Sequence, residues 1–78
     1  PNPFNPKTVI RYSLAVNTTV DLSIYNLLGQ KIATLVNKKQ PTGSYKVKWD
    51  ASDLSSGIYM YRLEAGDFSE TKKMVLVR

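Results

Sequence analysis

Six carboxylates, Asp21, Asp50, Asp53, Glu64, Asp67 and Glu70, and eleven lysines and arginines are the most reactive side chains this 78-residue chain offers. Cysteine and histidine are absent from the sequence, which removes the usual base for a nucleophile and the usual nitrogen and sulfur ligands of a transition metal. A serine activated by a lysine is the nucleophilic arrangement that remains. Ser55 and Ser56 stand directly before Gly57, where small polar residues and glycine serve as turn formers. Glycoside chemistry needs two carboxylates at a fixed separation, and most of the six fall at turns or on polar strand faces. Asp50 and Asp53 with loop carbonyls would make an oxygen set for calcium. Their spacing matches no calcium loop, so they read as turn and cap residues. The expectation is a protein that is not an enzyme and that holds no cofactor and no metal.

The formal net charge is +5, which draws a protein toward anionic surfaces without choosing among them. Lys46 and Lys48 project from one strand face, and a basic face with exposed aromatic rings would bind single-stranded nucleic acid. Tyr45, Tyr59 and Tyr61 alternate with the charged positions, however, so they belong to the opposite, core-facing side. No nucleic acid is expected. No run approaches the roughly 18 apolar residues of a spanning helix, so stable membrane insertion is not expected either. Pro1 opens the chain without a secretory signal pattern. The start reads as a segment cut from something longer.

The stretch that must organise the rest is Gly57 to Leu63. Tyr59, Tyr61 and Leu63 alternate with Met60, Arg62 and Glu64, and a period of two sorts these sets onto the two faces of a strand. As a central strand it gives the shorter alternating runs a partner; alone, they would be marginal hairpins. From Thr8 to Leu14, Ile10, Tyr12 and Leu14 share one face. Asn17-Thr18-Thr19 reads as a polar turn rather than a glycosylation acceptor, and Val20, Leu22 and Ile24 mark the core face of the next strand. Asn26 to Gln30 is a tight connection built on Gly29, whose two leucines are expected to cover a sheet edge.

Lys31 to Val36 is a weaker strand, and Asn37 to Thr42, with Lys38, Lys39 and Pro41, reads as an exposed hairpin tip. Tyr45, Val47 and Trp49 alternate cleanly with Lys46, Lys48 and Asp50. Residues 50 to 57 cross over to the central strand, with Leu54 available to pin the crossover. Phe68 to Arg78 makes the last strand. Its run Met74-Val75-Leu76-Val77 is apolar on both faces, a pattern that calls for cover on both sides or a paired partner.

Pro1 to Pro6 is a proline-rich lead segment, extended but outside any ladder. Phe4 is its apolar anchor, expected to plug one end of the core, and Pro3 to Pro6 reads as a linker rather than a polyproline ligand. Residues 7 to 78 then hold about six short strands at ~8 to 12 residue spacing, which argues for one all-β domain, an antiparallel sandwich. An oligonucleotide-binding barrel is the runner-up. A chain this short buries only ~60% of the surface it exposes when unfolded.

Five blocks in order resemble the type A C-terminal sorting domain of the type IX secretion system: Pro1-Asn2-Pro3-Phe4-Asn5-Pro6, Tyr25-Asn26-Leu27-Leu28-Gly29-Gln30, Trp49-Asp50-Ala51, Leu54 to Leu63, and Thr71 to Arg78. The pattern is also similar to the immunoglobulin-like domain of the flagellar hook-capping protein. The resemblance implies an immunoglobulin-like antiparallel β-sandwich of about six to seven strands. It implies a domain that folds in the periplasm in transit, is recognised by the outer-membrane translocon, and delivers the cargo preceding Pro1 to the cell surface or medium. A surface sortase-like peptidase commonly cleaves such domains from their cargo. By the same resemblance Lys72, Lys73, Met74, Val75, Leu76, Val77 and Arg78 carry the signal.

A final strand with a free edge suits strand addition to a receptor, with Lys72, Lys73 and Arg78 steering it toward acidic surface. The same edge makes a weak homodimer a second expectation. The alternative function is a non-catalytic accessory module of an extracellular enzyme, a carbohydrate binder or spacer, motivated by Trp49 and the many tyrosines.

Overall fold

The computed structural model describes residues 7 to 77, and these form six strands in chain order: β1 (Lys7–Leu14), β2 (Thr18–Tyr25), β3 (Lys31–Gln40), β4 (Gly43–Asp50), β5 (Gly57–Ala65) and β6 (Phe68–Leu76). The lead segment, with its expected plug Phe4 and its linker reading, and Arg78 lie outside the described residues. The strands make two antiparallel sheets, β1-β4 and β3-β2-β5-β6. β5 is interior to the larger sheet, flanked by β2 and β6, which is the place its aromatic alternation demanded.

The core lies between the sheets. Ile10, Tyr12 and Leu14 of β1 and Trp49 of β4 meet Val20, Leu22 and Ile24 of β2, Val36 of β3, Leu63 of β5 and Leu76 of β6. Those on β1, β2, β4 and β5 follow from period-two alternation, because successive side chains leave a pleated strand on opposite sides. Tyr45, Val47, Tyr59, Tyr61 and Met74 pack against this cluster from its margins. Leu54 also packs on it and so holds the crossover between β4 and β5, where the Leu54 amide donates to the Ala51 carbonyl at 3.0 Å.

Three local readings are corrected. The stretch from 37 to 42 is no hairpin tip: β3 runs on to Gln40, with Asn37, Lys38 and Lys39 paired to Asp21, Val20 and Thr19. β3 and β4 lie in different sheets, so Pro41 and Thr42 form a corner between them. Proline has no amide to donate and ends a ladder there, and the Thr42 amide is taken instead by Asn17 Oδ1 at 2.9 Å. Thr18 and Thr19 are not part of a turn but begin β2, held by their pairing with Gln40 and Lys39. Alternation also placed Ser23 on a polar face, yet it is fully buried. It sits mid-strand between its cross-strand partners Arg62 and Thr34 and donates a 2.6 Å hydrogen bond to Asp21 Oδ1, which offsets the cost of burying a hydroxyl.

The tight link between β5 and β6 depends on Gly66, at φ 61°. A β-carbon there would lie 3.1 Å from Thr18 Oγ1, so both backbone and space favour glycine.

Tyr12 and Tyr45 stack across the small sheet, centroids 5.2 Å apart and planes 15° from parallel. The Tyr12 hydroxyl donates to Gln40 Oε1 at 2.6 Å, tying β1 to the end of β3 in the other sheet. Burial pushes the Tyr12 phenol above its ordinary value of 10.0. The folded state therefore holds this proton more tightly than the unfolded chain does. The associated stability is complete below the unfolded value and is lost as pH climbs through the folded one. Urea midpoints of wild type and Tyr12→Phe are expected to differ by a constant amount up to about pH 9, after which the wild type loses ground to the variant.

A candidate recognition strand

Of the residues marked by sequence as the signal, Lys72 to Leu76 form the end of β6, an edge strand bonded on one side only, to β5, and Val77 follows it. In register, Lys72 faces Tyr61, Lys73 faces Met60, Met74 faces Tyr59, Val75 faces Ile58 and Leu76 faces Gly57. The two faces of this strand do different things. Leu76 is buried and Met74 half-buried against the core. Val75 and Val77 are 60% and 61% exposed. Of the two arrangements expected for this apolar run, cover on both sides is not what the chain itself provides: its inner face is core, and its outer face stands exposed beside Ile58, also exposed. A four-stranded sheet packed on one side only leaves such a face open.

Lys72 and Lys73 are both exposed, and Lys72 Nζ lies 4.0 Å from Glu70 Oε2. An exposed pair at that distance contributes little to stability, so these cations remain available to an approaching surface.

A second exposed apolar element was not anticipated. Leu27 and Leu28 are 65% and 84% exposed, so the expectation that they cover a sheet edge is corrected. The reason is the turn that carries them. Asn26 Oδ1 accepts the Leu28 and Gln30 amides at 2.9 and 3.0 Å, and Asn26 Nδ2 donates to Gln30 Oε1 at 2.7 Å. Backbone bonds from Asn26 N to Gln30 O and from Gly29 N to Asn26 O, both 3.0 Å, complete it, with Gly29 at φ 80°. A turn closed on itself this way directs its central side chains outward. The sequence held the clue in Asn26 and Gln30, which flank the leucines at the right spacing to bond each other. Next to the turn, Tyr25 is capped by Arg62, whose guanidinium carbon is 5.0 Å from the ring centroid, and by Lys31 Nζ at 6.0 Å.

The remaining sequence candidates take structural places. Asp50 Oδ1 accepts the Ser52 amide at 3.0 Å, and the hydrogen bonds from Ser52 hold its carboxyl below the ordinary value of 3.8. The Ser55 carbonyl accepts from the Tyr59 hydroxyl at 2.9 Å. Lys46 and Lys48 share the outer face of the small sheet with Lys7 and Arg11, whereas Tyr45 and Trp49 lie on the inner one. Trp49 is only 8% exposed, so it offers no sugar-binding platform. Among the described residues no group of three or more acidic side chains is gathered as a metal site, and no helix is long and apolar enough to cross a membrane.

The described residues thus form an all-β sandwich with an unpaired strand edge and exposed apolar residues beside it. Residues 1–77 match the family described as the secretion system C-terminal sorting domain, and the chain belongs to it. The domain is a sorting signal of the type IX secretion system: it is recognised by that machinery and sends the protein that carries it to the cell surface or medium. No curated protein and no solved structure matches the chain.

Proposed function

We propose that the signal read by the type IX machinery is the closing stretch Lys72, Lys73, Met74, Val75, Leu76, Val77 and Arg78, with Met74 and Leu76 holding it in place and the others presented to the receptor. The observation that carries this is the division of labour along one strand. Met74 and Leu76 fix the strand to the core, while Val75 and Val77 stand exposed next to an edge with no strand beyond it. A receptor strand adding to that edge gains main-chain hydrogen bonds, and pockets for alternate side chains give it selectivity. The lysines raise the encounter rate with an acidic receptor surface, an effect that weakens as salt is added.

The proposal has further parts. Residues 1–78 make a single C-terminal sorting domain, with Pro1–Pro6 as the proline-rich lead from the cargo and 7–78 as the sandwich. It has no catalytic activity and no nucleic-acid partner, and it does not insert stably in a membrane. It folds in the periplasm before the translocon receives it. A surface sortase-like peptidase then separates it from cargo near the proline-rich lead.

The test is a fusion of residues 1–78 to the C-terminus of a periplasm-directed reporter in a host with a working type IX system. Reporter at the cell surface or in the medium is the expected result. Reporter that stays periplasmic, with the domain folded by protease resistance, contradicts the sorting role for this chain.

A further inference from the structure

We infer that the Leu27-Leu28 turn is a second contact point for the type IX machinery, a preformed apolar knob that enters an apolar pocket of the protein that receives the domain. This rests on the sorting function and extends it to a surface outside the terminal strand.

Two independent observations support it. The first is the construction of the turn. Five hydrogen bonds close the stretch from Asn26 to Gln30, and they serve to hold in water two leucines that contribute nothing to the core. Large apolar side chains displayed together mark an interaction site, and a segment ordered before binding loses less entropy on docking.

The second observation is its position. β2 ends at Tyr25, paired with Met60, and Gly57 at the start of β5 pairs with Leu76. The turn therefore lies at the same end of the four-stranded sheet as the close of β6. The outer face between them carries the exposed pair Ile58 and Val75 and the half-buried Met60. One receptor surface can span the knob, this apolar strip and the terminal strand.

The form of the turn selects a protein pocket over a lipid surface. A bilayer accepts apolar side chains in almost any orientation and has no use for a closed frame. A pocket with shape needs the side chains fixed, and buried apolar anchors are where protein interfaces concentrate their binding energy.

The experiment uses the reporter fusion carrying Leu27→Ser with Leu28→Ser, with Leu27→Gln and Leu28→Gln as a second pair, and records export together with the thermal midpoint of the domain. Unchanged melting with export reduced about tenfold or more is expected, the loss that follows from removing one good anchor. Asn26→Ala keeps both leucines but removes the side chain that accepts two of the turn's bonds, and it is expected to fall between.

Wild-type levels of export from the folded leucine variants would overturn the second contact while leaving the sorting function intact. Failure of the unmodified fusion to export would instead overturn both, which keeps the two cases apart. Two further measurements on the purified domain address other occupants. Leucine-dependent cosedimentation with vesicles of phosphatidylethanolamine and phosphatidylglycerol would replace the protein pocket with lipid. A leucine-dependent dimer in sedimentation velocity would replace it with a second copy. Domain that remains monomeric and in the supernatant supports the pocket.

Discussion

Leu22→Ala is expected to remove a large share of the domain's stability. Leu22 is fully buried in the middle of β2 and is paired with Val36 on one side and Leu63 on the other. It joins the strand at the centre of the larger sheet to the core that both sheets share. Truncating a buried leucine costs about 2 to 5 kcal/mol, the upper part of that range where the surroundings cannot collapse into the space. Paired backbone on both sides of Leu22 holds those surroundings in place. At roughly 0.05 to 0.15 kcal/mol per residue the domain has about 4 to 12 kcal/mol of stability in all. The loss should lower the thermal midpoint by about 10 to 30 °C in a circular dichroism melt. Val9→Ala, on the exposed face of β1, serves as the comparison and should change stability by about 0.5 kcal/mol or less. Equal effects at the two positions would mean that Leu22 is not where the sheets meet.

The second large effect falls on function rather than on the fold. Val75→Ser with Val77→Ser removes both exposed valines at the end of the chain and leaves Met74 and Leu76 in place. Serine suits a strand less well than valine, which should cost about 1 kcal/mol or less at an exposed edge. Export of a fused reporter should nevertheless fall by about tenfold or more, because a strand added at this edge loses two of its alternate side-chain contacts. The pair Val75→Thr and Val77→Thr keeps the β-branched shape and serves where the serine pair weakens the fold. Leu76→Ala should behave in the opposite way at first sight: the domain melts earlier, and export falls only as far as the folded fraction does.

The strand faces were legible in the sequence because alternation is a local property. Ile10, Tyr12 and Leu14, then Val20, Leu22 and Ile24, then Tyr45, Val47 and Trp49 could be assigned to the core before any partner was known. Pairing is not local. Nothing in the residues from 31 to 50 says that β3 and β4 part company at Pro41 and join different sheets. Lys38 and Lys39 resemble a loop tip because charged residues are common there, yet an edge strand with one solvated side holds them equally well.

The candidate site was legible to a similar degree. Its last strand could be located from the apolar run near the chain end. The split between Val75, displayed, and Leu76, buried, depends on which side the core lies. The Leu27-Leu28 turn was misread for a related reason. Leucine type argues for burial, whereas the hydrogen bonds of Asn26 decide where the backbone points it. Ser23 shows the converse, a polar residue drawn inside between neighbouring strands, its hydroxyl donating a hydrogen bond to Asp21.

The claim on which the account turns is that one strand holds the fold with its inner face and is read by the secretion machinery on its outer face. The most direct measurement is the ratio of exported to retained reporter for the unmodified fusion and the Val75→Ser, Val77→Ser fusion, side by side, with the folded fraction of each domain determined in the same cells. The expected result is a domain folded in both, exported in the first and retained in the second. Equal export from two equally folded domains would contradict it.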